Sequence, residues 1–329
     1  MSSSVFVIGA SGYIGLGVAL AFRRAGYRVY GLIRNEKHAN MLQRNEIEPI
    51  IAQAFDNVQP FTDILNTCSV IIDAVGYTPK LSLSLLEIAI QTGKIRTQDG
   101  KLPHYAPLYI FTSGIMTYGD TSPTGCRPVD EMIKPRPQPA TQRNSGSSSA
   151  DVTAMKDRED YENHVLATSS AALKTTVVRP GFVYGGQGGF VADLFYSEPL
   201  VIQGRRDMRW SWVHIDDLGE GYVSIARAPR VVVDKQLYNL AAPNDNPSYE
   251  ELRTAMAKAQ GRQEKIEYKK AEEGVPTRWD TDSIINPAKA INELGWQPRH
   301  VGFVQEIETY YKSWAAHKST QERKSTSHS

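Results

Sequence analysis

The stretch Val5-Phe6-Val7-Ile8-Gly9-Ala10-Ser11-Gly12-Tyr13-Ile14-Gly15 constrains the rest of the chain most. Four apolar, strand-favouring residues run into glycines at positions 9, 12 and 15. Ile14, Val18, Ala21, Phe22 and Ala25 then recur at three- and four-residue intervals, which is one face of a helix. Strand, glycine turn and helix in this order form a dinucleotide-binding signal. Gly9 allows the tight turn, Gly12 lets the backbone approach a pyrophosphate, and Gly15 lets the helix pack close to the strand. The helix N-terminus then presents N–H groups and the positive end of its dipole to the phosphates. Gly9, Ser11, Gly12, Tyr13 and Ile14 are therefore the expected contacts on the phosphate side.

The second strand is expected over Tyr27 to Arg34, ending about 20 positions beyond the glycine turn, where an acidic residue selects a free ribose and an arginine a 2′-phosphate. Here the sequence reads Arg34-Asn35-Glu36-Lys37, which favours NADP over NAD, with Glu36 as the opposing signal. Further strands are expected at 47–55, with Asp56 as the cap of the next helix, at Ser69–Gly76 and at Leu108–Gly114. The continuous apolar character of Val70-Ile71-Ile72 suits a buried parallel strand, and the small residues Ala74 and Gly76 leave room for a cofactor at its end. Helices are expected at Leu81–Ile90 and Ser149–Ser169, and a sixth strand at Lys174–Arg179. This alternation implies an α/β fold, a doubly wound parallel sheet covered on both faces. The proline-rich, then serine-rich loop of 120–150 is long enough to serve as a flap over the ligand.

Composition excludes several classes. A net charge of +1 offers no electrostatic case for nucleic acid or an anionic membrane. Two cysteines, Cys68 and Cys126, make neither a disulfide framework nor a cysteine-rich metal site, so no metal is expected. No apolar run approaches the ~20 residues of a membrane span. Met-Ser-Ser-Ser leads straight into the first strand, so no signal peptide is expected and the chain reads as cytoplasmic.

Several further blocks stand in order: Phe111-Thr112-Ser113 with Tyr118-Gly119, Arg179-Pro180-Gly181-Phe182-Val183-Tyr184-Gly185, Trp212-Val213-His214-Ile215-Asp216-Asp217-Leu218, and Leu294-Gly295-Trp296-Gln297-Pro298. With the glycine turn, they resemble the extended and atypical short-chain dehydrogenase/reductases, the family of nucleotide-sugar epimerases and related reductases. The resemblance spans roughly residues 5 to 315. It implies a Rossmann-type domain over 1–185 and a smaller α/β substrate subdomain over 186–315 with some elements interleaved. The final stretch from Lys318, rich in Ser, Thr, Lys and Arg without apolar periodicity, is expected to be disordered, which puts a disordered tail over 316–329. The resemblance further implies that Ala74, Val75, Gly76, Ser113, Pro180 and Val183 line the cofactor, that the partner is a small-molecule substrate, and that a homodimer is a natural assembly.

The catalytic positions depart from the family pattern. That family uses a serine or threonine, a tyrosine, and a lysine four residues after it, because hydride transfer at a carbonyl needs a proton donor and a cation beside a phenol lowers its pKa. Counting from Tyr118 puts Gly114 at the serine position, and counting from Glu162 puts Ala154 and Arg158 at the tyrosine and lysine positions. Arg158 can still hydrogen-bond a nicotinamide ribose, but it cannot transfer a proton. Tyr161 lies about 10 Å along the helix from the tyrosine position, too far to substitute. Ser113, Tyr118 and Arg158 remain the catalytic candidates. Ser113 either binds ligand or satisfies backbone, and Tyr118 either replaces the acid or packs in its turn.

His214 reads as a structural or a titrating residue, and Trp210 and Trp212 as cavity wall or core. Arg205, Arg206 and Arg209 read as an anion grip or a solvated loop. Gly186 to Gly189 is expected to be a flexible loop at the substrate entrance. Ser248 with Glu251 forms a capping box. The implied activity is that of an NADP-dependent oxidoreductase or epimerase-like enzyme acting on a small organic carbonyl or alcohol. A non-redox lyase or isomerase, and a silent NADP-binding sensor or scaffold, are the alternatives.

Overall fold

A computed structural model describes residues 3–52, 61–98, 106–122, 127–134, 149–189, 191–192, 196, 201–243, 245–263, 266–269, 281–300 and 302–326, without the side chains of 149–156, 202–203 and 320–326. Asp56 and most of the 120–150 loop, including Cys126, lie outside these residues.

The chain runs β1 (Ser4–Ile8), α1 (Tyr13–Arg24), β2 (Arg28–Ile33), α2 (Ala39–Arg44), β3 (Glu48–Ile51), α3 (Thr62–Leu65), β4 (Val70–Asp73), α4 (Pro79–Gln98), β5 (Leu108–Thr112), α5 (Ser149–Ala167) and β6 (Lys174–Pro180). It continues through β7 (Phe182–Tyr184), β8 (Val201–Gln203), β9 (Trp212–His214), α6 (Ile215–Arg227), α7 (Arg230–Val233), β10 (Gln236–Leu240), α8 (Tyr249–Ala259), β11 (Glu267–Lys269), α9 (Ala288–Leu294) and α10 (Ile307–Thr326). Seven strands join in the order β3-β2-β1-β4-β5-β6-β10, every pair parallel. Parallel strands sit between two helical layers, so their residues are apolar on both faces. In β1, Val5 and Val7 enter one core with α1 and α6, whereas Phe6 and Ile8 enter the opposite core with Leu85, Tyr161 and Val165.

The strand order reverses between β1 and β4, and at such a switch point the two flanking turns part to leave a crevice. Beyond β6 the chain leaves the sheet, then returns to it as α6, which packs on α1, and as β10, which pairs with β6. β10, which follows the expected boundary at 185, is thus a strand of the main sheet. The second core gathers Tyr184, Trp210, Trp212, Tyr249, Met256, Phe303 and Tyr310. Ser248 caps α8 with Glu251 in a reciprocal capping box, as its spacing predicts.

Two expectations change. The tail expected to be disordered from 316 is helical through Thr326. Ile307 and Tyr310 anchor the start of α10 in the second core, and a helix nucleated by such contacts extends without an apolar stripe of its own. Trp210 and Trp212 are buried core rather than cavity wall, with Phe182 stacked on Trp210 at 4.3 Å between ring centroids.

Candidate functional site

The glycine turn is built from its backbone. Gly9 has φ +81°, open to glycine at little cost, and its N–H and that of Ala10 both donate to the Leu32 carbonyl, at 3.2 and 3.3 Å. Gly12 is the exposed N-cap of α1 and offers no side chain to the first helical amides. Those N–H groups therefore face outward without a side-chain cap, as an anion site requires. Gly15 lies against Gly9 so closely that an added Cβ would stand 2.2 Å from the Gly9 carbonyl oxygen.

Gly9, Ser11, Gly12, Arg34, Ala74 and Val75 line one cavity of about 180 Å3, closed by Leu32 and Ile33. Six residues expected from three separate stretches thus meet at the switch point. Arg34 is exposed there and makes no hydrogen bond or ion pair among the described residues. Asn35 instead accepts the Lys37 N–H at 3.0 Å and caps the short turn. Gly76 has φ +83° with nothing within 4 Å of an added Cβ, and it does not line that cavity. Ile14 packs against the α1-side core. Tyr13 points away from the turn and donates to the Gly185 carbonyl at 2.7 Å; burial, then the charge of Asp216, raises its pKa.

That bond, and the packing around it, revise the view of residues 186–189 as a flexible loop. An added Cβ at Gly189 would fall 2.2 Å from the Tyr13 ring, and Ser313 donates to the Gly186 carbonyl at 2.7 Å. The loop is held by α1 and α10. Pro180 and Val183 are buried, Val183 within the α1-side core, so neither lines the cavity.

Asp73 escaped the sequence reading. It ends β4, is 1% exposed, and accepts the Val75 N–H at 3.1 Å and the Tyr109 hydroxyl at 2.9 Å. It thereby shapes the turn at Ala74 and Val75. Burial raises its pKa to about 6, against the two hydrogen bonds. A lone carboxyl at the end of an apolar buried strand was the available signal.

The catalytic candidates separate. The Ser113 N–H donates to the Val178 carbonyl at 2.8 Å, and its hydroxyl is 3.3 Å from that of Thr117. Tyr118 is buried, donates to Asn239 Oδ1 at 3.0 Å and lies under the Arg179 guanidinium, 4.2 Å from its ring centroid. Burial raises its pKa to about 12 despite Arg179. Tyr161 is also interior, donating to the Ser82 carbonyl at 2.7 Å. Arg158 stands with Nη1 3.5 Å from the position of a Cβ on Gly114, so the serine and lysine positions counted from sequence do adjoin. The backbone of Ala154 is helical within α5.

The basic cluster does not grip an anion. Arg205 pairs with Asp207 and Asp282, Arg206 with Glu250, and Arg209 with Glu251 at 3.5 Å. His214 caps α6, accepting the Asp216 N–H on Nδ1 at 3.2 Å, and burial with the neighbouring His300 lowers its pKa to about 4. A larger cavity, about 810 Å3, opens beside edge strand β10 among Glu159, Asn163, Arg179, Leu237 and Lys289. None of the expected cofactor residues lines it.

A parallel sheet with this order, a glycine turn at its switch point and a second core formed mainly by the C-terminal elements make a Rossmann-type α/β fold. Solved structures agree. The chain is similar to the PbgP3 protein from Burkholderia pseudomallei at TM-score 0.73 and 16% identity, covering 97% of this chain and 98% of that one. It is similar to dTDP-glucose 4,6-dehydratase from Bacillus anthracis, solved with NAD, at TM-score 0.71, 14% identity and coverage of 96% and 97%. UDP-glucose 4-epimerase from Thermotoga maritima, solved with UDP-glucose, matches at TM-score 0.69, 20% identity and coverage of 95% and 99%. No protein-family model and no curated protein matches the chain. No helix among the described residues is long and apolar enough to cross a membrane.

Proposed function

We propose that the chain binds NADP at the Gly9–Gly15 turn and acts as an oxidoreductase or epimerase-like enzyme on a small organic carbonyl or alcohol. The carrying observation is the cavity that joins the uncapped N-terminus of α1 to an unpaired Arg34. Related folds solved with NAD or a nucleotide sugar support a dinucleotide there. The residues fit it, since glycine backbone, free amides and small side chains at Ala74 and Val75 leave the approach open. Arg34, with no carboxylate among the described residues that line the cavity, favours the 2′-phosphate.

A bound nicotinamide supplies the capacity to accept or donate hydride. This chain's residues orient the substrate: the Ser113 hydroxyl stands at the end of β5, with Arg158 beside Gly114. Tyr118 takes no proton-transfer role in this reading, because its hydroxyl is committed to Asn239. That commitment favours a second reading, in which the site runs a lyase or isomerase reaction or only senses the dinucleotide. Fluorescence titration with NADPH and NADH tests the main reading. We expect tighter NADPH binding, and Arg34→Ala should weaken NADPH at least tenfold while leaving NADH nearly unchanged. Equal affinities in the native chain would overturn the NADP assignment. Failure to turn over a broad panel of carbonyls and alcohols in the presence of NADPH would favour the second reading.

A further inference from the structure

The pairing of α5 with β6 leaves one cation over. Glu162 stands one helical turn after Arg158, where an i,i+4 ion pair would form. It points instead at Arg179, whose Nε lies 3.1 Å from both carboxylate oxygens and whose Nη2 also reaches Oε2. Glu162 and Arg179 are 1% and 3% exposed, so that carboxylate is fully engaged inside the protein. Arg158 has no hydrogen bond or ion pair among the described residues, and its Nε is buried without a partner. Burial lowers its pKa against the charge of Glu162, which reaches it without a hydrogen bond, and the guanidinium stays charged. Arg205, Arg206 and Arg209 each have a carboxylate, which makes the contrast plain.

The position of this cation matters as much as its isolation. Its Nη1 is 3.5 Å from where a Cβ on Gly114 would be, and an added Cβ there would meet nothing else within 4 Å. Gly114 follows β5, and Tyr77, whose phenol pKa burial raises while the nearby Arg158 charge opposes that rise, follows β4. The guanidinium thus stands at the carboxyl ends of the strands that border the proposed cofactor site. The absent side chain at Gly114 leaves space beside its fork. Arg158 is half-buried with its Nε covered, so a part of its charge lacks full hydration until an anion meets it, and its planar fork matches a carboxylate in two parallel hydrogen bonds.

We infer that Arg158 is the carboxylate-binding residue of the substrate site, and that the substrate is a small oxo acid whose carboxylate lies beside its carbonyl. This rests on the dinucleotide reading for the place of the reacting carbon, and adds the substrate class. Ribose hydroxyls would be a weaker match, since they bring no charge to neutralise the cation.

Calorimetric titration of the full chain with pyruvate and its neutral counterpart pyruvamide, with and without saturating NADPH, tests it. We expect the acid to bind at least tenfold more tightly than the amide. Arg158→Gln should erase that preference while NADPH affinity changes less than twofold, and Arg158→Lys should retain part of it. Gly114→Ser, which leaves Arg158 in place and fills the space, should weaken acid binding and covers the case in which the arginine variants fail to fold. Equal binding of acid and amide, or a preference that survives Arg158→Gln, overturns the inference. So does a tenfold loss of NADPH affinity in Arg158→Gln with the acid preference intact, which would make Arg158 a ribose ligand. If the native chain prefers the acid but binds no NADPH, the dinucleotide reading has failed and the carboxylate site stands.

Discussion

Replacing Gly15 by alanine separates packing from ligand approach in the glycine turn. On an exposed helix, glycine to alanine stabilises by about 1 kcal/mol. Here the new Cβ would lie 2.2 Å from the Gly9 carbonyl oxygen and 2.8 Å from its carbon, both backbone atoms that cannot rotate away. Ordinary contact requires about an ångström more, so the first turn of α1 must lift off the strand. Overpacking of this kind costs about 1–3 kcal/mol and outweighs the propensity gain. The same lift carries the N-terminal amides away from a phosphate, so NADPH affinity should fall at least tenfold. Gly12→Ala is the control. Its φ is −78°, an ordinary value, and its Cβ would sit 3.2 Å from the Gly9 oxygen, a contact relieved by a few tenths of an ångström. Its stability should stay within about 0.5 kcal/mol of the native chain while NADPH binding weakens, because the methyl group intrudes where the pyrophosphate approaches. Urea unfolding and fluorescence titration read the two effects. If Gly15→Ala proves as stable as the native chain and binds NADPH equally well, the close approach of helix and strand is not what the glycine supplies.

Glu162→Gln leaves Arg179 as a buried charge without its counter-ion, and should cost about 3–5 kcal/mol in urea unfolding; a loss under 1 kcal/mol would show that water reaches the pair. His214 has its pKa depressed to about 4 by burial and His300. Its contribution is therefore complete above pH ~6.5 and is lost as pH falls towards 4, to a total of about 3 kcal/mol. His214→Asn, which keeps an acceptor for the Asp216 N–H, should flatten that part of the stability profile, and an unchanged slope would place the acid sensitivity elsewhere. Tyr13→Phe removes the bond to the Gly185 carbonyl and should cost about 1 kcal/mol. Faster hydrogen exchange confined to residues near 185–189 would be its signature, and uniform exchange would show that packing on Gly189 alone holds the loop.

Some features were legible because they depend only on neighbours in the chain. The capping box at Ser248 and Glu251, and the run from Val5 to Ile8 into its glycines, are local patterns with one low-energy outcome. The resemblance also located Gly114 and Arg158 by counting, and the structure sets them side by side. Other residues had two readings that only partners could separate. Arg205, Arg206 and Arg209 are as basic in sequence as Arg158, but three of these four meet carboxylates from distant segments. Tyr118 is a plausible acid until Asn239, 121 residues away, takes its proton donor.

From its sequence alone the chain determined its parallel sheet and its glycine turn, because hydrophobic period and glycine spacing are properties of a string. Tertiary structure decided which charges are spent and which remain free. An ion pair is a contact between residues far apart in the chain, and no periodicity records whether Glu162 turns to Arg158 or to Arg179. That choice leaves Arg158 without a hydrogen bond or ion pair among the described residues, beside Gly114 at the carboxyl end of β5.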